Sequence, residues 1–144
     1  MIISFFGHAK YTYDEDLLNK TLEILENVIG EREVEFLVGF HGNFENFGFK
    51  CALQYKKRHK NAIVTYVTPY LDVERFANSV KKCDCSIYPE IERTPLKFAI
   101  IKRNEWVIDR SDFIIFYKKY IGKTNDFFDY ATRKNKKIVN LADL

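Results

Sequence analysis

Glycine, proline and cysteine are all scarce in this chain of 144 residues, which has six, three and three of them respectively. So few glycines and prolines exclude a fibrous or low-complexity protein. No apolar run approaches the roughly 20 residues that a helix needs to span a bilayer. The first residues, Met1 to Phe6, lack the positive segment and the cleavage site of a signal peptide. We therefore predict a cytoplasmic protein with no membrane partner.

The cysteines argue against a disulfide framework, because their number is odd. An odd count in a short chain is typical of a reducing compartment. Cys83 and Cys85 could form half of a metal site, but a second pair is missing and no histidine has zinc spacing with them. We therefore expect free thiols, no metal and no cofactor.

Neither sign of charge dominates, since 23 Lys and Arg face 20 Asp and Glu for a net charge of +3. That surplus is too small to indicate a nucleic-acid partner by itself. Aromatic residues are abundant, at 16% of the chain, and hydrophobic residues make up 47%. Length and composition together predict one globular domain over residues 1–144 with a substantial core.

Apolar runs of strand type alternate with helical patterns along the whole chain. Several of the runs are apolar on both faces, which is typical of a mostly parallel sheet covered by helices on both sides. The predicted strands are 1–6, 34–38, 62–67, 85–88, 113–117 and 138–141. The predicted helices are 14–29, 44–59, 72–82, 95–108 and 126–134.

Two glycine-containing loops follow predicted strands and precede predicted helices. They surround Gly42 and Gly122, at the sheet edge where parallel sheets bind ligands. Glycine lets the backbone approach a ligand closely, and a helix N-terminus offers N–H groups to an anion. Neither loop contains G-x-G-x-x-G or a complete P-loop. Each could therefore be a plain turn or a phosphate-binding loop.

A polar pair, Arg103 and Asn104, interrupts the apolar helix between Ile101 and Trp106. The first interpretation is a surface arginine that pairs with a neighbouring acid on the same helix. The second is an arginine directed at a phosphate, which a guanidinium can bind through two hydrogen bonds. The residues alone leave both interpretations open.

Several short segments occur in an order that resembles the SLOG superfamily, and in particular its small YpsA-like bacterial and phage members. The likeness covers nearly the whole chain and implies a Rossmann-like, doubly wound fold that binds nucleotides or nucleotide-derived ligands. Relatives include phosphoribohydrolases, ligand sensors and a DNA-binding branch, so the fold alone does not select a function. The segments are Gly7-His8, Gly42-Asn43-Phe44-Glu45, Tyr88-Pro89, Arg103-Asn104-x-Trp106-Val107, Ser111-Asp112 and Tyr130-Ala131 to Asn140-Leu141.

The resemblance also implies a set of ligand-binding residues. Three departures favour binding over catalysis: Lys123 replaces a glycine of the relatives' glycine-rich loop, Asp129 replaces a glutamate, and Ala9 stands where an arginine is common. Gly122, Lys123 and Thr124 are predicted to form an anion-binding turn at a helix N-terminus. The full predicted set is Gly7, His8, Gly42, Asn43, Arg103, Asn104, Gly122, Lys123 and Thr124.

Three functions remain open at this point. The first is binding of a nucleotide-derived ligand, with slow hydrolysis at most. The second is an N-glycosidase that releases the base of a nucleoside 5'-monophosphate, with Glu45 or Asp129 as the catalytic acid and Arg103 and Lys123 on the phosphate. The third is nucleic-acid binding by the basic stretches 56–58 and 133–137, which also lie at predicted helix ends.

A homodimer is the predicted assembly. Aromatic residues such as Phe47, Phe49, Phe127 and Phe128 are more numerous than a core of this size readily absorbs. Relatives in the superfamily also commonly self-associate. The alternative is that these rings simply fill the core.

Overall fold

The computed structural model describes residues 1–70 and 76–144, and it shows strands alternating with helices. The strands are β1 (Ile2–Gly7), β2 (Glu35–Val38), β3 (Ile63–Val67), β4 (Cys85–Ile87), β5 (Phe113–Tyr117) and β6 (Lys137–Asn140). The helices are α1 (Glu15–Ile29), α2 (Asn43–Arg58), α3 (Ala77–Val80), α4 (Ala99–Arg110) and α5 (Lys123–Arg133). Short 3-10 turns cover Leu96–Phe98 and Leu141–Asp143. The predicted helix over 72–82 lies partly outside the described residues.

All six strands are parallel and form one sheet in the order β4-β3-β2-β1-β5-β6. Successive residues of β1 point to opposite faces: Ile3 and Phe5 join the core beneath α1 and α2, whereas Phe6 joins the core beneath α4 and α5. The predicted Rossmann-like α/β fold is therefore confirmed. The direction of strand addition reverses between β1 and β5, and such a reversal opens a crevice for ligands at the carboxyl ends of the strands.

The aromatic residues mostly fill the core beneath α1 and α2. Phe47 and Phe49 are buried there, at 1% and 7% exposure, among rings such as Tyr11 and Phe44. Phe127 and Phe128 are half-buried against the opposite core. Two of the four aromatic rings on which the homodimer prediction was based are therefore packed inside the protomer.

Helix α5 begins three residues earlier than its predicted start at residue 126. Its first turn is the polar run Lys123 to Asp126, which carries no apolar periodicity to indicate a helix. Gly122 precedes the helix in an extended conformation. Lys123 and Thr124 are therefore the first two residues of the helix instead of a turn before it.

Among the described residues, no helix combines the length and the apolar character needed to cross a membrane. The three cysteines are free thiols, as expected; Cys51 is buried and Cys85 is exposed.

Candidate functional site

A cavity of about 250 Å³ opens at the carboxyl end of β1. The strand order reverses at this place, between β1 and β5. We call this space the strand-end cavity. It lies between the first turns of α2 and α5, with α4 contributing a third side. Its lining residues are Phe6, Gly7, Ala9, His41, Gly42, Glu45, Ile100, Asn104, Lys123, Thr124 and Phe127. The fold thus brings both predicted glycine loops to one place.

Two helix N-termini meet at this cavity. Gly42 precedes α2 and Gly122 precedes α5, and neither N-cap residue has a side chain to satisfy the first N–H groups. The N–H of Asn43 is already occupied, because it donates to the carbonyl of Ala9 at 3.0 Å. Helix N-termini carry partial positive charge, and the exposed Lys123 adds a full one. The electrostatics of the cavity mouth therefore favour an anion.

Arg103, which is buried, forms an ion pair with the partly buried Glu45 beneath this cavity. The Arg103 side chain is 2% exposed, and its Nη2 donates to Glu45 Oε1 at 2.9 Å. Arg103 Nη1 donates to the carbonyl of Val67 at 3.0 Å, while Glu45 Oε2 accepts the N–H of His41 at 2.8 Å. The pair therefore joins α4, the end of β3 and the first turn of α2.

Gly39 explains how this ion pair fits at the end of β2. A Cβ atom at Gly39 would overlap Arg103 Nη1 and would lie 2.6 Å from Glu45 Oε1. The missing side chain leaves the space that the guanidinium and carboxylate occupy. Gly39 is thus a steric requirement of the ion pair and not a conformational one, since its backbone is not in the left-handed region.

Asn104 is the neighbour of Arg103 on α4, and its side chain lines the strand-end cavity. Asn104 is 6% exposed. Its Oδ1 is shielded from solvent and has no hydrogen-bond partner among residues 1–70 and 76–144. A buried polar atom without a partner costs about 1–3 kcal/mol. The Asn104 Oδ1 is therefore a polar atom at the cavity boundary that still requires a hydrogen-bond donor.

His8 contacts the loop between β5 and α5, which spans residues 118–122. Its Nε2 accepts the N–H groups of Lys119 at 3.0 Å and of Tyr120 at 3.4 Å, and its ring stacks on Tyr120 with 3.7 Å between centroids. Burial lowers the pKa of His8. A neutral ring with Nε2 as acceptor carries its proton on Nδ1. In these contacts His8 orients the loop that leads to Lys123.

Other predicted site residues lie outside the lining of the cavity. Asp129 is exposed on α5 and does not line the cavity, so the structure does not bring it to Glu45. The side chain of Asn43 is exposed, and Gly122 directly precedes the lining residue Lys123 but does not itself line the cavity. Of the two predicted catalytic carboxylates, Glu45 therefore lines the cavity and Asp129 does not.

Sequence reasoning missed the apolar side of the cavity, which Ile100 and Phe127 form. Ile100 lies four positions before Asn104, and Phe127 lies three positions after Thr124. Residues three or four apart share one face of a helix. Helical spacing from the two polar residues could have identified both.

A larger depression of about 800 Å³ lies on the outer face of α2, lined by Tyr13, Leu18, Leu53, Gln54 and the lysines 50, 56, 57 and 82. Most of its lining residues belong to α2, and none of them lines the strand-end cavity. None of the unsatisfied buried polar atoms found in the described part of the chain belongs to its lining. We therefore regard the smaller strand-end cavity as the candidate site.

The chain matches no model of a known protein family and no curated protein.

Proposed function

We propose that this protein binds a nucleotide or a nucleotide-derived ligand in the strand-end cavity. The observation that carries the proposal is the convergence of two uncapped helix N-termini and Lys123 on a cavity where the strand order reverses. This combination suits a phosphate group. The resemblance to the SLOG superfamily supports the same ligand class.

The cavity suits part of a nucleotide. Its volume of about 250 Å³ lies just below the roughly 300–1,000 Å³ usual for small-molecule pockets. A phosphate at the helix N-termini would leave Ile100 and Phe127 as apolar surface for the sugar or base. The base would then extend toward the cavity mouth.

Binding fits the geometry better than base release does. Glu45 is the one carboxylate of the described residues that lines the cavity, and both its oxygens already accept hydrogen bonds. A general base must be within reach of the proton it removes, and Asp129 is exposed elsewhere on α5. We therefore propose that any hydrolysis is slow.

The nucleic-acid alternative receives less support. Lys56 forms an ion pair with Asp84 at 2.6 Å and donates to the carbonyl of Ala62. Lys134 pairs with Asp109, and Lys136 donates to its carbonyl. These three lysines of the two basic stretches thus bind their own chain.

The homodimer stays a prediction. Exposed apolar side chains support it more directly than Phe47 and Phe49 do, because those two rings are buried in the core. Leu96, Phe98 and Ile101 are 78%, 44% and 43% exposed around the start of α4. Light scattering at micromolar concentrations tests it. A monomeric mass throughout that range contradicts it.

Calorimetry with inorganic phosphate and a panel of nucleoside 5'-monophosphates tests the proposed function. We expect at least one nucleotide to bind, and Lys123→Glu to weaken that binding about tenfold or more, since a charge-assisted contact becomes a repulsion. Lys20→Glu is the matched control, because Lys20 is exposed on α1 and does not line the cavity. No binding by the wild type, or equal affinity in Lys123→Glu, would refute the phosphate site. Rapid release of free base would show that the protein is an enzyme.

A further inference from the structure

A second, much smaller space lies beneath the strand-end cavity. We call it the chamber; its volume is about 10 Å³. Its lining residues are Phe5, Phe6, Leu37, Val38, Gly39, Glu45, Arg103, Asn104 and Val107. Glu45 and Asn104 line the cavity as well as the chamber, so the two spaces share a boundary.

The side chains around the chamber include two buried polar atoms that lack a hydrogen-bond partner in the described part of the chain. They are Arg103 Nε, which is a donor, and Asn104 Oδ1, which is an acceptor. The other side chains that face the chamber are apolar, apart from Glu45. A donor, an acceptor and a carboxylate therefore surround one small space.

One water molecule fits these requirements. A buried water needs a space of about 10–15 Å³ and two to four polar partners. The water would accept the Nε–H of Arg103, donate one proton to Asn104 Oδ1 and donate the other to the Glu45 carboxylate. That arrangement would satisfy both unpartnered atoms at once.

We infer that the chamber holds one ordered water, and that this water fixes the Asn104 carboxamide with its oxygen inward and its amino group toward the strand-end cavity. Asn104 then acts as a positioning and specificity residue that presents N–H donors to the ligand. The cavity accordingly selects a ligand with an oxygen acceptor at this point, such as a phosphate oxygen or a base carbonyl. This inference rests on the proposed function for its ligand, but not for the water.

The solvent exposure of Asn104 supports this orientation. Oδ1 is shielded from solvent although Asn104 lines an open cavity. The carboxamide must therefore meet the cavity through another atom, and its Nδ2 is the polar one that remains. Donors would then surround the ligand group on three sides, from α2, α4 and α5.

Nuclear magnetic resonance of the ligand-free protein tests the water directly. We expect cross-relaxation between the Arg103 Nε–H and a long-lived water, and contacts from the Asn104 amino protons to Thr124 or Phe127 across the cavity. A high-resolution crystal structure gives the same information. A dry chamber, or an amide oxygen that faces the cavity, would overturn the inference.

Two substitutions test the consequence for binding. Val107→Ile adds a methyl group beside the chamber without altering a residue that lines the cavity, and we expect it to displace the water and weaken nucleotide affinity several-fold. Val64→Ile is the matched control, because Val64 is fully buried in the opposite core. Asn104→Asp keeps the shape but replaces both N–H donors with a carboxylate oxygen and adds a negative charge, and we expect it to weaken affinity at least about tenfold. Unchanged affinity in Asn104→Asp, or in a Val107→Ile protein whose chamber is shown to be dry, would refute the specificity role.

The two proposals fail in different ways. If the wild type binds neither phosphate nor any nucleotide, the proposed function is wrong, and the water remains measurable in the ligand-free protein. If the wild type binds a nucleotide but the chamber is dry, the proposed function stands and this inference is wrong.

Discussion

The two loops that meet at the strand-end cavity differ sharply in how they are held. The β2–α2 loop, residues 39–42, begins with Gly39, which leaves space for the Arg103–Glu45 ion pair, and its His41 N–H donates to Glu45. The β5–α5 loop, residues 118–122, carries Tyr120 and Ile121 at 55% and 91% exposure. Among residues 1–70 and 76–144, and apart from its chain neighbours, a Cβ atom at Gly122 would meet just the Tyr120 ring, at 3.9 Å.

The sequence predicted a ligand-binding role for both loops. The structure indicates instead that one loop mainly supports the fold and that the other is the one available for binding. The β2–α2 loop is fixed by contacts beneath the cavity, so changes there should alter the stability of the whole domain. The β5–α5 loop is exposed and leads directly to Lys123, so changes there should alter binding and local mobility. Arg103 and Lys123 were both predicted to bind phosphate. Arg103 instead belongs to the contacts that stabilise the β2–α2 loop, whereas Lys123 follows the exposed β5–α5 loop.

The largest effect should come from removing the carboxylate of the ion pair. Glu45→Ala removes the anionic partner of the buried Arg103. Losing one member of a fully buried pair costs about 3–5 kcal/mol, and we expect a loss near the lower end of that range because the Glu45 side chain is 14% exposed. Urea denaturation measures the change in the free energy of unfolding. Asp126→Ala is the matched control, since Asp126 is an exposed acid in the first turn of α5, and we expect a change within about 0.5 kcal/mol. Equal losses in the two variants would erase the distinction between the loops.

A pair of glycine substitutions should give a smaller difference in the free energy of unfolding between the two loops. Gly39→Ala places a methyl group against Arg103 and Glu45 and should cost about 1–3 kcal/mol, as overpacking does. Gly122→Ala has open space and an extended backbone and should change stability by less than about 0.5 kcal/mol. Thermal or urea unfolding compares the two. A destabilised Gly122→Ala protein would show that the β5–α5 loop is constrained after all.

The smallest effect is local and depends on pH. Because burial lowers the pKa of His8, the folded protein resists protonation there, and the contribution of His8 to stability is complete above the unfolded pKa of about 6.5. It falls as the pH drops below that value toward the lowered pKa. Protonated Nε2 can no longer accept the N–H groups of Lys119 and Tyr120.

Amide hydrogen exchange, expressed as protection factors, measures this change at Lys119 and Tyr120. We expect protection at both to decrease between pH 7.5 and pH 5, while protection at His41 in the β2–α2 loop stays constant. The variant His8→Gln should lack the pH dependence. Constant protection in the wild type would mean that another group holds the loop.

The sheet could be predicted from the sequence because its signals are local. Each strand is a short apolar run that ends at a turn, and this pattern placed the boundaries of the six described strands within one residue. The edge on which a ligand binds then follows from parallel topology. Local geometry could also have predicted that Asp129 does not line the cavity, since it lies five positions after Thr124 and therefore on a different side of the helix.

The ion pair could not be predicted in the same way. Glu45 and Arg103 are 58 residues apart, and nothing local indicates that they meet. A helix arginine between apolar residues is equally consistent with a surface contact, a phosphate contact or a buried partner. Only the packing of α2 and α4 around the ends of β2 and β3 decides among these.

The position of β1 in the sheet has a consequence for how the chain folds. β1 is first in the sequence yet lies between β2 and β5, and its pairing with β5 joins residues about 110 positions apart, such as Ile3 and Phe113. During synthesis, β1 can pair with β2 early, but its other edge stays open until β5 has left the ribosome. Contacts of such long sequence separation slow folding, and unpaired strand edges promote aggregation. Among the four interior strands of the described sheet, β1 is therefore the one whose second edge waits longest for its partner in the nascent chain.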